Sequence, residues 1–195
     1  MFNSFYDEDE LQEMGFGYVG HDVQISRTAS LYNRKYIEIE AHARIDDFCV
    51  LSAKVDGKII IGTYVHISTH CLVISSQGVR FRNFSGISSG CRLFGSSDDY
   101  SGFYLTNPCV PKEYRNCHDG YIELGYHAVV GAGSILMPGV LLGDASAVGA
   151  MSLVTKSIPS GEIHAGIPAR FIKTRSSKLI ELESKFMKSL NPEDE

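Results

Sequence analysis

Leu124-Gly-Tyr-His-Ala-Val, Val130-Gly-Ala-Gly-Ser-Ile, Leu136-Met-Pro-Gly-Val-Leu, Leu142-Gly-Asp-Ala-Ser-Ala, Val148-Gly-Ala-Met-Ser-Leu and Val154-Thr-Lys-Ser-Ile-Pro are six consecutive blocks of six residues. An aliphatic residue opens every block, glycine follows in four of them, and the fifth place is small or β-branched. A period of six is neither that of a helix nor that of a plain strand, so the pattern is a repeat of short strands and corners. Stacked coil on coil, such blocks predict an all-β fold, a parallel β-helix.

The register runs backwards through the chain. Its opening residues group in threes: Val19, Ile25, Leu31; Ile39, Ile45, Leu51; Ile61, Ile67, Val73; Phe81, Ile87, Leu93. Within a trio the spacing is six, and between trios it lengthens to eight, ten and eight. Three blocks make one turn of a triangular prism, so the extra residues are expected at one corner, outside the stack. Glycine at the second place is expected to serve a corner. The fifth place holds Cys49, Cys71 and Cys91 where other blocks hold Val23, Ala43, Val65, Ser85 or Ala128, so these cysteines read as small buried hydrophobes. Cys109 and Cys117 fall in a loop and could be exposed thiols, and no spacing supports a disulfide framework or a metal site.

Length and composition point to one domain over 1–195. A net charge of −5 gives no reason to expect nucleic acid or an anionic membrane surface as partner. No apolar run approaches membrane-spanning length, and Asp7 to Glu10 are unlike a signal peptide, so a cytoplasmic location without membrane insertion is expected.

Within that domain, 1–18 form an N-terminal helical cap, 19–93 and 124–170 the coils, 94–123 an inserted loop and 174–190 a C-terminal helix. Asp7-x-x-Glu10 is a capping box and Gly15 a stop, with Leu11 and Met14 on the packing face. The thirty-residue insertion is polar and turn-rich, and loops of that length carry function. Its aromatics, Phe94, Tyr100, Phe103, Tyr104 and Tyr114, predict an ordered, packed loop. At the other end, Ser176 or Ser177 caps a helix with Leu179, Leu182, Phe186 and Leu190 on one face, and Asn191 to Glu195 read as frayed.

The tandem hexapeptides, the long interrupting loop and the closing Ala165-Gly-Ile-Pro-Ala169 resemble the hexapeptide-repeat acyltransferases. Arg44 to Ser52, Ser97-Asp-Asp-Tyr-Ser-Gly102 and the tail from Leu179 are similar to a subgroup that includes N-acetyltransferases of dTDP-4-amino-4,6-dideoxyglucose in surface-polysaccharide synthesis. The resemblance implies a left-handed β-helix, an exception to the right-handed crossover rule. It also implies acetyl-CoA as co-substrate, no metal, and a homotrimer with sites between neighbouring prisms.

The chemistry then assigns candidates. Gly131, Gly133, Gly143 and Gly149 would let the pantetheine arm approach the prism wall, and Ala165 belongs to the closing turn. Lys156, Arg170 and Lys173, with Arg175, would meet the phosphates of coenzyme A. O-acetyltransferases of the family carry a histidine base in the interrupting loop, where this chain has Ser97-Asp98-Asp99-Tyr100. A hydroxyl needs its proton removed, whereas an amine is already nucleophilic and needs only orientation and charge stabilisation. Asp98 or Asp99 is therefore the catalytic candidate for an amine acceptor, with Tyr100, Tyr104 and Tyr114 beside the substrate. The alternative is O-acetylation with His118 as base; His66, His70, His127 and His164 read as structural. An oxyanion donor is expected near Gly133. A non-enzymatic scaffold is the reading from another class.

Overall fold

The computed structural model describes residues 4–190, which leaves the 191–195 tail outside the described residues. The chain winds into a left-handed β-helix of about seven turns, with helices at both ends. Three parallel sheets form the faces of the prism. The first face begins at Tyr18–Val19, the second at Gln24–Ile25 and the third at Ser30–Tyr32. Coils stack in perfect register: Phe81 pairs with Ile61 on one side and with Leu124 on the other, so the insertion costs the stack no phase.

All the opening residues point inward and are buried, from Val19 to Val154, except Leu31 on the first coil, which is half-buried. Each fully buried aliphatic side chain of this kind contributes roughly 1.5–3 kcal/mol. Cys49, Cys71 and Cys91 stack in the core as free thiols, and each sulfur donates to a carbonyl of the next coil, Ser68, Ser88 and Gly131 respectively. The extra residues do gather at one corner, between the third and first faces: 33–36, 53–58, 75–78 and the inserted loop.

The corners work differently from the sequence expectation. The left-handed backbone falls at the fourth place of a block, at Asp22, His42, Tyr64, Phe84, His127 and Ala145 on one edge, all with φ between 53° and 59°. Second-place glycines are needed for another reason. A Cβ on Gly131 would sit 2.4 Å from the backbone nitrogen of Ala150, and one on Gly125 would sit 2.6 Å from that of Asp144. The coils approach too closely there for any side chain.

Bulky residues with positive φ cost roughly 1–2 kcal/mol each. Here they stack into a ladder: His42 on Tyr64, Tyr64 on Phe84 and Phe84 on His127, with ring centroids 4.7, 5.0 and 5.0 Å apart and planes within 15° of parallel. Such pairs contribute about 0.5–1.5 kcal/mol apiece, enough to offset much of the strain.

The ends are closed by different devices. Helix α1 (Glu8–Glu13) forms its capping box with Asp7 and buries Leu11 over the first coil. At the other end Arg170–Thr174 runs antiparallel to Glu162–Ala165 and finishes the second face. Helix α2 (Lys178–Leu190) then turns back along the ladder, where Phe186 meets Tyr64 and Phe84 edge-on and Glu183 bonds His127 at 2.7 Å. Of its other apolar residues Leu179 is half-buried, while Ile180, Leu182, Met187 and Leu190 are exposed. No helix among the described residues is long and apolar enough to cross a membrane.

Gly131→Ala should destabilise the protein by about 1–3 kcal/mol, the usual cost of overpacking. Guanidinium chloride unfolding measures it; an unchanged midpoint would show that the coils can separate.

Candidate active site

The inserted segment leaves the third face after Phe94 and rejoins the first at Ile122. Both feet are tied to the stack: Gly95 N–H donates to the Ile74 carbonyl and Ile122 N–H to that of Gly78. Between them Ser96–Asp98 and Cys117–Asp119 form an antiparallel hairpin, with Asp98 opposite Cys117 and Ser97 opposite His118. Successive side chains in a strand point to opposite faces. Asp98 ends its strand, and Asp99, one residue beyond it, takes different partners.

Asp98 faces a cavity of about 690 Å³ between the hairpin and the coils, lined also by Lys54, Lys112, Arg115, Cys117 and Asp119. Its Oδ2 accepts from the Asn107 amide at 3.2 Å and its Oδ1 faces the Cys117 thiol at 3.6 Å. Asp119 accepts from the Ser76 hydroxyl at 2.8 Å. Burial pushes its carboxyl up, but hydrogen bonds from Ser96 and Ser76 and the charges of Lys54 and Lys112 bring it below the usual range. Three cations thus share the cavity with two carboxylates, and the Nε of Arg115 is buried without a hydrogen-bond partner.

Asp99 is only 7% exposed and holds the loop together. Its oxygens accept from the Ser101 amide at 2.6 Å and the Asn116 side chain at 3.0 Å. The Ser101 donors, then Asn116, hold its carboxyl below the ordinary value. A carboxylate so engaged is a poor proton acceptor. His118 lies on that same side, 3.8 Å from Asp99, with its side chain 67% exposed and outside the cavity. Its contact with Asp99 holds it away from the cavity that Asp98 faces.

Other candidates are dispersed. Tyr100, Tyr104 and Tyr114 are exposed, as is Phe103; the loop is ordered by its hairpin and by Asp and Asn turns, not by packed aromatic rings. Gly131 and Gly149 are explained by coil stacking, since a Cβ on Gly149 would meet the Cβ of Ala165 at 2.7 Å. The Gly133 amide donates to the Ser89 carbonyl, so it is not available to an oxyanion. Lys156 sits at the corner between the third and first faces, whereas Arg170 and Lys173 lie in the strand flanking the second face, all exposed. Arg175 is structural: its guanidinium donates to the carbonyls of His127, Ala145 and Ser146, and burial lowers its pKa.

The other four histidines expected to be structural are accounted for. His66 bonds Asp46, His70 packs on Phe48, His127 joins the ladder and His164 bonds Glu162. A second cleft of about 560 Å³ opens on the second face, where Ser68, Ser88 and Ser89 meet His66 and His127. Sequence reasoning singled out neither these serines nor the cations Lys54, Lys112 and Arg115. Lys54 lies about sixty residues before Lys112 and Arg115, and the folding of the loop that brings them together is written in no local pattern.

No family model matches the chain. It is 43% identical over 186 residues to the dTDP-4-amino-4,6-dideoxy-D-glucose acyltransferase of Escherichia coli, covering 95% of this chain and 96% of that one. The crystal structure of AntD, an N-acyltransferase from Bacillus cereus in complex with dTDP and 3-hydroxybutyryl-CoA, is 42% identical with a TM-score of 0.93, covering 97% of this chain and 100% of that one. AntD variants of one serine and of one aspartate ten positions further on were also solved with coenzyme A and either dTDP-4-amino-4,6-dideoxyglucose or dTDP. The acetyltransferase domain of PglB from Neisseria gonorrhoeae, at 18% identity and a TM-score of 0.57 over 77% of this chain and 57% of that one, shares the fold. The hairpin, its cavity and these full-length likenesses leave no room for the scaffold reading. The chain belongs to the hexapeptide-repeat acyltransferase family that includes the E. coli and B. cereus enzymes, and is an acyl-CoA-dependent N-acyltransferase.

Proposed function

We propose that the protein transfers an acetyl group from acetyl-CoA to the 4-amino group of a dTDP-linked 4-amino-4,6-dideoxyhexose, for surface-polysaccharide synthesis in the cytoplasm. The observation that carries this reading is the sharing of one cavity by Asp98 and by Lys54, Lys112 and Arg115. In such a sugar the 4-amine and the anomeric diphosphate lie at opposite ends of one ring. A cavity that holds both a carboxylate and three cations can meet an amine and a diphosphate together.

Asp98 acts as the orienting group. It accepts a hydrogen bond from the amine and stabilises the ammonium character that develops as nitrogen attacks the thioester carbonyl. The tetrahedral intermediate collapses with cleavage of the carbon–sulfur bond, and the proton lost by nitrogen ends on the departing thiolate. Asp99 positions the loop, and Tyr100, Tyr104 and Tyr114 offer aromatic surface to the nucleotide or to a neighbouring subunit. Lys156, Arg170 and Lys173 remain the cations for coenzyme A.

The site is completed by a second subunit of a homotrimer. Ser88–Asp98 and Ser89–Asp99 both reproduce the serine–aspartate spacing of the AntD variants. Within one chain the serines lie at the corner between the second and third faces, whereas the aspartates lie in the loop leaving the far edge of the third. Neighbouring prisms would bring one chain's serines to the next chain's hairpin. The exposed apolar side chains of α2 supply surface for such an assembly.

Thiol release from acetyl-CoA should require the dTDP-4-amino sugar and be absent with the matching 4-hydroxy sugar; equal turnover of both would sink the amine reading. Asp98→Asn should lower kcat by about 10²–10³, as loss of one charge-stabilising contact does. His118→Ala should leave turnover nearly unchanged, and Asp99→Asn should chiefly raise susceptibility of the loop to limited proteolysis. A larger kcat loss in His118→Ala than in Asp98→Asn would reverse the assignment.

Co-expression of a Ser88→Ala/Ser89→Ala chain with an Asp98→Asn chain tests the shared site. Mixed trimers purified by two tags should regain one working site in three, although neither parent is active. Mixed trimers as inactive as the parents would place the whole site within one chain.

A further inference from the structure

A second constellation lies on a different edge of the prism from the inserted loop. His21 and Asp22 occupy the third and fourth places of the first coil's opening block, and His42 the fourth place of the block below it. Asp22 Oδ2 is 2.8 Å from His21 Nδ1 and 3.5 Å from His42 Nδ1, and the three donor atoms all lie within 4.8 Å of one another. We propose that His21, Asp22 and His42 form a binding site for a divalent transition metal such as Zn²⁺, separate from the acyl-transfer site.

Geometry and chemistry both support the assignment. Tetrahedral zinc with bonds of about 2.0–2.1 Å sets its ligand atoms about 3.3 Å apart. The two Asp22–histidine separations bracket that value. The remaining gap closes by rotation of His21, whose side chain is 68% exposed and meets the His42 ring only edge-on. His42 is already fixed, because its ring stacks on Tyr64 at 4.7 Å with planes 9° apart.

Backbone supports the carboxylate as well. Asp22 and His42 both sit in the left-handed corner conformation, held by coil-to-coil hydrogen bonds such as that from the His42 amide to the His21 carbonyl. Two imidazoles and one carboxylate suit zinc, nickel or copper, whereas calcium and magnesium favour all-oxygen sets. The Asp22 amide also donates to Glu8 Oε1 at 3.1 Å, which ties the site to helix α1. A bound ion would therefore fasten the N-terminal cap to the first two coils. The reading of 21–42 as plain coil repeats missed it because the histidines are twenty-one residues apart and become neighbours only through stacking.

Equilibrium dialysis of the untagged full-length protein against Zn²⁺, with thermal unfolding in parallel, tests the proposal. One zinc per chain should bind, unfolding should shift upward with zinc, and Mg²⁺ should do neither. His21→Ala removes an exposed ligand whose ring meets the ladder only edge-on at His42, so its zinc-free unfolding should lie close to the parent's while zinc affinity falls at least about tenfold. His42→Ala and Asp22→Asn should lose binding too. No zinc bound by the parent, or equal binding by parent and His21→Ala, would overturn the site. Acetyl transfer should be the same with and without zinc, so the outcome is independent of the acceptor reading.

Discussion

Stacking of one coil on the next is the constraint from which the rest of the molecule follows. The amide at the second place of a block donates to the first-place carbonyl of the coil beyond it: Gly20 to Ile39, Gly62 to Phe81, Gly125 to Leu142 and Gly131 to Val148, at 2.7–2.8 Å. Glycine fills that place where a Cβ would meet the next backbone, as at Gly125 and Gly131, whereas Glu40, Arg82 and Ser88 make the same bond with their side chains accommodated. The turn into the next face then needs a left-handed residue two places on, and at His42, Tyr64, Phe84 and His127 ring stacking offsets the strain. The ladder in turn gives α2 a surface on which to dock. The repeated hydrogen bond sets the spacing of the coils, and the aromatic ladder and the docking of α2 are built on that spacing.

The reactive region depends on the same frame. Both feet of the insertion are bonded to the coil beneath, and the hairpin that rises from them has a fixed register. The end of the strand at Asp98 then separates two adjacent aspartates into different work. One faces the cations of a cavity; the other faces serine and asparagine donors that stiffen the loop. With the cavity side free of histidine, the arrangement suits a nucleophile that needs orientation more than deprotonation.

Much of the fold was legible in the sequence, because a period of six leaves few alternatives and the inward places were simply the aliphatic ones. The corner chemistry was not. Glycine at the second place looked like a turn residue, while the turn itself fell on residues such as Tyr64 and Phe84, bulky side chains that rarely adopt positive φ. The loop was found as an interruption, and Asp98 and Asp99 stood out within it, but only pairing against Cys117 and Asn116 separates their directions. Lys54 and Arg115 stayed hidden because they lie on different coils, far apart in the chain, and meet only where the inserted loop folds over the shared corner. The aromatic residues of the loop misled in the other direction: they promised internal packing and are exposed instead.

The central claim is that Asp98, not Asp99 or His118, meets the acceptor nitrogen in a cavity whose cations hold the diphosphate. A crystal structure with the dTDP-4-amino sugar and coenzyme A bound tests it most directly. The account predicts the sugar amine within hydrogen-bonding distance of Asp98, with the diphosphate against Arg115 and Lys112. An amine seated against Asp99 or His118, with the cavity empty, would contradict it.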